Sequence, residues 1–214
     1  GTGAPPTTGR HEAIEMLDRV IAKLREVGPR YAIVLLLSRF VPPHVLSASR
    51  IVVLHLPTSE VRRKDPIGRW ADSDELPLLT GFGHEIATLV ERFARGDRAW
   101  IMVEGDRLVG YCWFTQGDYH DEATGLAFPS HPGEVWLYDA MVHRDQRGRG
   151  IYPRLLAGAA RQLGREGVRG IRIIVEALNR NSIRAHEAGG AVVREAIRAV
   201  TLFGRQRVER RELA

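Results

Sequence analysis

The sequence predicts a mixed α/β fold of the α+β kind: a mostly antiparallel sheet with a central parallel pair, helices on both faces, and a helical N-terminal extension. Three observations predict it. From residue 50 onward, strand-like and helix-like patterns alternate in the order β, α, α, β, β, β, α, β, α, β, β. Residues 98–115 read as two strands joined by Gly105-Asp106, a hairpin signal that makes them antiparallel. Residues 134–177 read as strand, helix, strand, and such a crossover makes its two strands parallel.

Each element has its own signal. Residues 1–9 are small, uncharged and contain proline, and read as disordered. Ile14, Leu17, Val20, Ile21 and Leu24 recur at three- and four-residue spacing, which predicts a helix ended by Gly28-Pro29. Residues 31–40 read as a second short helix, broken at Pro42-Pro43. Residues 1–49 are therefore read as the extension and 50–214 as the main domain. Residues 50–56 read as a strand. Helices follow over 72–81, with Ser73 as N-cap, and over 83–95, with Ile86, Leu89, Val90 and Phe93 on one side. After the 98–115 hairpin, residues 116–132 read as a loop rich in Asp, Gly, His and Pro. A strand at 134–142, a helix to 163, a strand at 171–177 and a short helix ended by Gly189-Gly190 come next. Two strand-like runs flank Gly204.

Composition excludes several function classes. The chain has 214 residues, 44% hydrophobic content and a formal charge of +5. No apolar run reaches the ~20 residues of a membrane span, and YAIVLLL at 31–37 is too short. The first residues lack the apolar core of a leader peptide. The single cysteine, Cys112, has no partner within the chain and suits a reducing cytoplasm. No Cys/His cluster has zinc spacing, and His120, Asp121 and His131 are too loosely spaced for one, so no metal is expected. The positive charge is scattered and lacks an aromatic platform, which argues against nucleic acid.

The informative stretch is VHRDQRGRGIYPRLL, residues 142–156, where a strand turns into a helix. The start of a helix offers unpartnered N–H groups and a dipole that favours anions. Gly148 and Gly150 let a phosphate approach that backbone, and Arg144, Arg147 and Arg149 add positive charge. Pro153 falls in the first turn, where its missing N–H costs little. A P-loop is excluded because no Lys-Ser/Thr pair follows the glycines. A dinucleotide fingerprint is excluded because its third glycine and its acidic ribose partner are missing.

Arg147 to Tyr152, RGRGIY, resembles the Q/R-x-x-G-x-G/A signature of the GNAT superfamily of N-acetyltransferases. Arg147 and Gly150 match, and Tyr152 departs from the final small residue. The preceding strand, the following helix and strand, and N-x-x-S at Asn179–Ser182 extend the resemblance over roughly residues 68–203. The resemblance implies acetyl-CoA as acyl donor, with its pyrophosphate on the corner at Arg147, Gly148, Arg149, Gly150 and Ile151. It implies a backbone N–H near Met141 and Val142 at the thioester oxygen, and Asn179 and Ser182 beside the pantetheine arm.

Asn179, Ser182 and His186 share one helical face. Where the family commonly carries a tyrosine that protonates the leaving thiolate, this chain has His186, which is read as general acid. Asn179 reads equally as a helix N-cap. The candidates for the base are Glu134, Tyr138 and Asp139 on the strand before the corner. Alternation puts Glu134 and Tyr138 on one face and Asp139 on the other. Asp118, His120 and Asp121 are further candidates. The implied activity is direct transfer of acetyl from acetyl-CoA to a primary amine in a ternary complex, without an acyl-enzyme. The acceptor is open, and so is a homodimer. The alternatives are a non-catalytic acyl-CoA-binding module and a protein that docks on a partner or a membrane surface through its N-terminal segment.

Overall fold

The computed structural model describes residues 46–61, 65–121 and 124–213. The two helices read before residue 41 lie outside the described residues. The chain divides into two compact units, residues 1–49 with 199–208, and residues 50–198 with 209–214.

In the larger unit, strand β1 (Leu46–Pro57) enters at residue 50. A short strand β2 (Arg69–Trp70) leads to helices α1 (Leu76–Thr80) and α2 (Ile86–Ala94). The hairpin β3 (Arg98–Glu104) and β4 (Arg107–Thr115) follows, with Gly105 at φ +59 in its turn. Then come β5 (Tyr119–Asp121), β6 (Leu126–Phe128), β7 (Glu134–Val142), α3 (Ile151–Arg165), β8 (Gly170–Glu176) and α4 (Arg180–Ala188). Strands β9 (Val192–Leu202) and β10 (Arg205–Glu212) enter this unit through residues 192–198 and 209–212. The strand order is β10-β9-β1-β8-β7-β4-β3-β2. The pair β7–β8 is parallel, and β1–β8, β2–β3, β3–β4 and β4–β7 are antiparallel.

Central strand β4 shows why helices cover both faces. Its side chains alternate, and residues 108–115 are all buried. Tyr111 and Trp113 pack with Leu76, Leu79 and Leu89 of α1 and α2. Cys112 and Phe114 pack with Leu155, Leu156, Ala159, Ala160 and Leu163 of α3. Each fully buried leucine there contributes about 1.5–3 kcal/mol.

Four local expectations are corrected. The 72–81 helix is a 3-10 turn (Ser73–Glu75) running into the shorter α1, and Asp72 rather than Ser73 sits at its start. The Glu75 carboxylate accepts from the Asp72 N–H at 3.0 Å, which stabilises that entry. On α2, Leu89 is buried but Ile86 and Val90 are each 50% exposed, because only the Leu89–Phe93 stripe meets the sheet. The 116–132 segment contains the paired strands β5 and β6, held by Tyr119 stacked on both Phe128 and Tyr138. Sequence gave no period there because each strand has only three residues.

In the smaller unit the described residues are 46–49 and the turn of the β9–β10 hairpin. Phe203 and Gly204 occupy its centre with φ +47 and +74, the geometry of a tight two-residue hairpin turn.

Candidate functional site

Strand β7 is paired with β8 over its first four residues and with β4 from Trp136 to its end. Its parallel pairing with β8 runs from Glu134↔Gly170 to Leu137↔Ile173 and then stops. Its pairing with β4 continues to Val142↔Gly110. The two strands therefore part after Leu137. Residues 135–137 are buried, 138–140 are partly exposed, and Met141 is 38% exposed.

The register decides which amide faces the gap. His143 donates its N–H to Val109 O on β4 at 2.8 Å. Alternation then turns Met141 toward β4 and Val142 toward the gap. The Val142 carbonyl confirms the direction, since it accepts from Arg147 Nε at 3.2 Å. Of the two neighbours named from sequence, Val142 has the amide directed away from β4.

Immediately after β7 comes a 3-10 turn (Arg144–Gln146), then Gly148 and Gly150 at φ +78 and +68, then α3. Both glycines adopt the left-handed conformation that a Cβ disfavours. Space is not the reason at Gly148, where a Cβ meets nothing within 4 Å. The amides of Gly148, Arg149, Gly150, Ile151 and Tyr152 have no backbone acceptor among the described residues. Ile151 itself is core, packed with Val109 and Val142, so only its backbone belongs to the corner. Arg144, Arg147 and Arg149 are exposed, with Arg149 reaching the Gln146 side chain.

The second constellation differs from its reading. The Asn179 side chain accepts from the Ser182 N–H at 3.2 Å and caps α4. The Ser182 carbonyl accepts from His186 Nδ1 at 2.7 Å, so Nδ1 carries the proton. His186 Nε2 is then the acceptor, and the Tyr152 hydroxyl donates to it at 2.5 Å. The imidazole is buried, and burial pushes its pKa down to about 4. Neutral at pH 7 and with Nε2 as an acceptor, His186 has no proton to give at Nε2 in this arrangement, where the sequence reading made it the general acid. Tyr152 is held as the neutral phenol, its pKa raised by burial.

The three base candidates are not brought together. Glu134 lies at the far end of β7 from the corner, with Arg172 Nε at 2.5 Å and His55 Nε2 at 3.0 Å. Tyr138 donates to Asp97 Oδ2 at 2.8 Å. Asp139 stands at the parting itself. The expected alternation fails there because β7 carries a bulge: Asp139 pairs with Trp113 but Leu137 with Phe114, leaving Tyr138 as the extra residue. Tyr138 and Asp139 thus share the α1–α2 face. Asp139 accepts from Tyr111 OH at 3.1 Å and from Arg92 NH1 at 2.8 Å, and His84 Nε2 lies 2.7 Å from the same Tyr111 oxygen. The sequence reading named none of Tyr111, Arg92 and His84 among its candidates for the base.

In the β5–β6 segment, Asp118 accepts from the Ser130 N–H at 2.7 Å, and Asp121 pairs with the Thr124 hydroxyl. His120 is on β5 with its side chain exposed. Among the described residues no three His, Cys, Asp or Glu side chains form a metal-binding group. Cys112 is buried and its thiol pKa is pushed up, which keeps it protonated.

The model of the acetyltransferase (GNAT) family matches residues 64–190, more than half of the chain. The chain belongs to the GNAT acetyltransferase family. Solved structures share the fold at low identity. A GNAT-family acetyltransferase from Novosphingobium aromaticivorans aligns with a TM-score of 0.53 and 16% identity, covering 75% of this chain and 68% of that one. One from Colwellia psychrerythraea aligns at 0.52 and 13%, covering 79% of this chain and 57% of that one, so this chain spans little more than half of the latter's length. A conserved Staphylococcus epidermidis protein described as functionally unknown aligns at 0.51 and 10%, covering 78% and 66%. No curated protein sequence matches. The parted β7–β8 pair, the glycine corner and α3 all lie inside the matched GNAT segment. Among the described residues no helix is long and apolar enough to cross a membrane.

Proposed function

We propose that residues 50–214 form an N-acetyltransferase domain that moves acetyl from acetyl-CoA to a primary amine within a ternary complex. The observation that carries this reading is the run from β7 to α3: a strand parted from its neighbour, followed at once by five amides that have no backbone acceptor among the described residues. The amides of residues 148–152 suit a pyrophosphate, and the exposed Arg144, Arg147 and Arg149 add charge around it. A pantetheine arm leaving that corner reaches the gap beside Val142. There the Val142 N–H meets the thioester oxygen as it gains charge, an interaction of about 3 kcal/mol in comparable sites.

In this reading the amine lone pair attacks the thioester carbonyl carbon, the C–N bond forms, and the C–S bond breaks with the thiolate leaving. Tyr152 supplies the thiolate's proton, its hydroxyl turning from His186 Nε2 toward the sulfur. His186 keeps that hydroxyl in place as its neutral acceptor. Holding both substrates on one strand contributes most of the rate. The buried, protonated Cys112 supports direct transfer over an acyl-enzyme.

The test is calorimetry of acetyl-CoA with the native chain, Gly150→Glu and Gly150→Asn. Asparagine tolerates the left-handed conformation, so that variant adds a side chain with little backbone strain and no charge. Native binding that Glu weakens by about 100-fold and Asn by far less supports the corner as the anion site. No binding to the native chain sinks the reading.

A further inference from the structure

We infer that His84 is the group that takes the proton from the incoming amine, and that Tyr111 and Asp139 hold it in the tautomer that can. The inference rests on the acetyltransferase reading and adds a residue outside the glycine corner.

The chain delivers His84 to the sheet through a short loop. After α1 ends, Gly83 takes φ +87, a conformation that other residues resist, and the loop turns back. Phe82 packs edge-on against the Tyr111 ring at 5.0 Å, and His84 packs against the same ring at 5.3 Å. The β7 bulge puts Asp139 on this face beside Tyr111.

Hydrogen-bond directions follow from chemistry. The Asp139 carboxylate only accepts, so the Tyr111 proton goes to Oδ1. The Tyr111 oxygen then accepts, so the His84 proton sits on Nε2 and donates to it. That leaves the Nδ1 lone pair bare, and among the described residues nothing engages it. Asp139 Oδ2 is occupied by Arg92, whose guanidinium lies over the Tyr138 and Trp113 rings at 5.1 and 5.2 Å. With its oxygens taken by Arg92 and Tyr111, Asp139 is the anchor and His84 the acceptor. The groups facing the imidazole are Tyr111 from β4, Asp139 from β7 and Arg92 from α2. Burial and Arg92 lower its pKa, Asp139 works against them, and burial is the largest effect. The imidazole is therefore neutral at pH 7.

The location suits the step. His84 and Asp139 lie on the α1–α2 face of the sheet, opposite α3, at the point where β7 leaves β8. An amine arriving from that face meets the thioester beside Val142. It arrives as the ammonium ion, His84 Nδ1 takes one N–H proton, and the freed lone pair then bonds to the carbonyl carbon; the second N–H proton, lost as the amide forms, balances the one Tyr152 gives the thiolate. The imidazolium is stabilised through Tyr111 and by Asp139 Oδ2, 3.6 Å away, and then releases the proton to solvent.

Two measurements test this on the full chain. The first is nitrogen NMR of the histidines, with His84 assigned by its loss in His84→Gln. The expected state at pH 7 is neutral with the proton on Nε2, and Tyr111→Phe mixes the tautomers. A charged ring, or a proton fixed on Nδ1, overturns the proposal. The second is CoA release from acetyl-CoA with benzylamine and with hydroxylamine, a nucleophile already unprotonated at neutral pH. His84→Gln is expected to lower kcat with benzylamine about 100-fold and remove the acidic limb of its pH profile, with little effect on hydroxylamine or on acetyl-CoA binding. An equal loss for both nucleophiles means a structural role and overturns the proposal. If the native chain binds no acetyl-CoA, the acetyltransferase reading itself fails, and the proposal with it.

Discussion

The Tyr152 hydroxyl and His186 Nε2 face each other at 2.5 Å, from the first turn of α3 to the last turn of α4. Both are places where this chain departs from the residues its family resemblance implies. The departures are therefore one pair. A tyrosine hydroxyl is still present between the two helices, now carried by α3 and held by a histidine on α4.

That pair predicts a split between binding and turnover. Tyr152→Phe keeps the ring and its packing but removes the proton donor and leaves Nε2 unpaired. The expected result is kcat lower by about 100-fold, unchanged acetyl-CoA affinity, and stability lower by about 1 kcal/mol. Steady-state CoA release and calorimetry together check it. An unchanged kcat removes Tyr152 from the reaction.

His186 predicts an acid-labile fold. Burial pushes its folded pKa down to about 4, below the ordinary histidine value of 6.5. Between those values the unfolded chain binds a proton that the folded chain does not, so stability rises with pH across that window. The contribution is complete above pH 6.5 and lost as pH falls toward 4, up to about 3 kcal/mol. Urea titrations at several pH values read it, and His186→Gln should flatten the curve there. The depressed carboxylates Glu75 and Glu166, at about 2, act in a separate window below pH 4.5.

Gly158 predicts a packing limit on α3. A Cβ there falls 2.1 Å from Ile67 O, the carbonyl that accepts from Trp100 Nε1 at 2.9 Å. Gly158→Ala should cost about 1–3 kcal/mol despite its better helix propensity. Thermal melting measures it, and a stabilised variant contradicts the close approach.

Glu134 predicts an absence of catalytic effect. Its carboxylate serves Arg172 and His55 at the end of β7 remote from the corner. Glu134→Gln should lower stability by about 1 kcal/mol and leave acetyl-CoA affinity unchanged. A large loss of affinity would return Glu134 to the site.

The glycine corner was legible because its causes are local. Gly148, Gly150 and Pro153 each act on their own backbone, and the strand before and helix after show their own periods. Asn179 was legible as a cap for the same reason. The bulge at Tyr138 was not, since it exists only in register with β4. His84 was not, because its partners Tyr111 and Asp139 stand 27 and 55 positions further along the chain.

By itself, then, the sequence determined the order of the longer elements, the parallel pair, the glycine corner between strand and helix, and the family resemblance, because those depend on neighbours along the chain. Only the tertiary structure decided which amide enters the gap, which face Asp139 takes, and which partner of the Tyr152–His186 pair carries the proton. Those depend on strand register and on burial, and both are set by residues far apart in sequence that folding brings within hydrogen-bond distance.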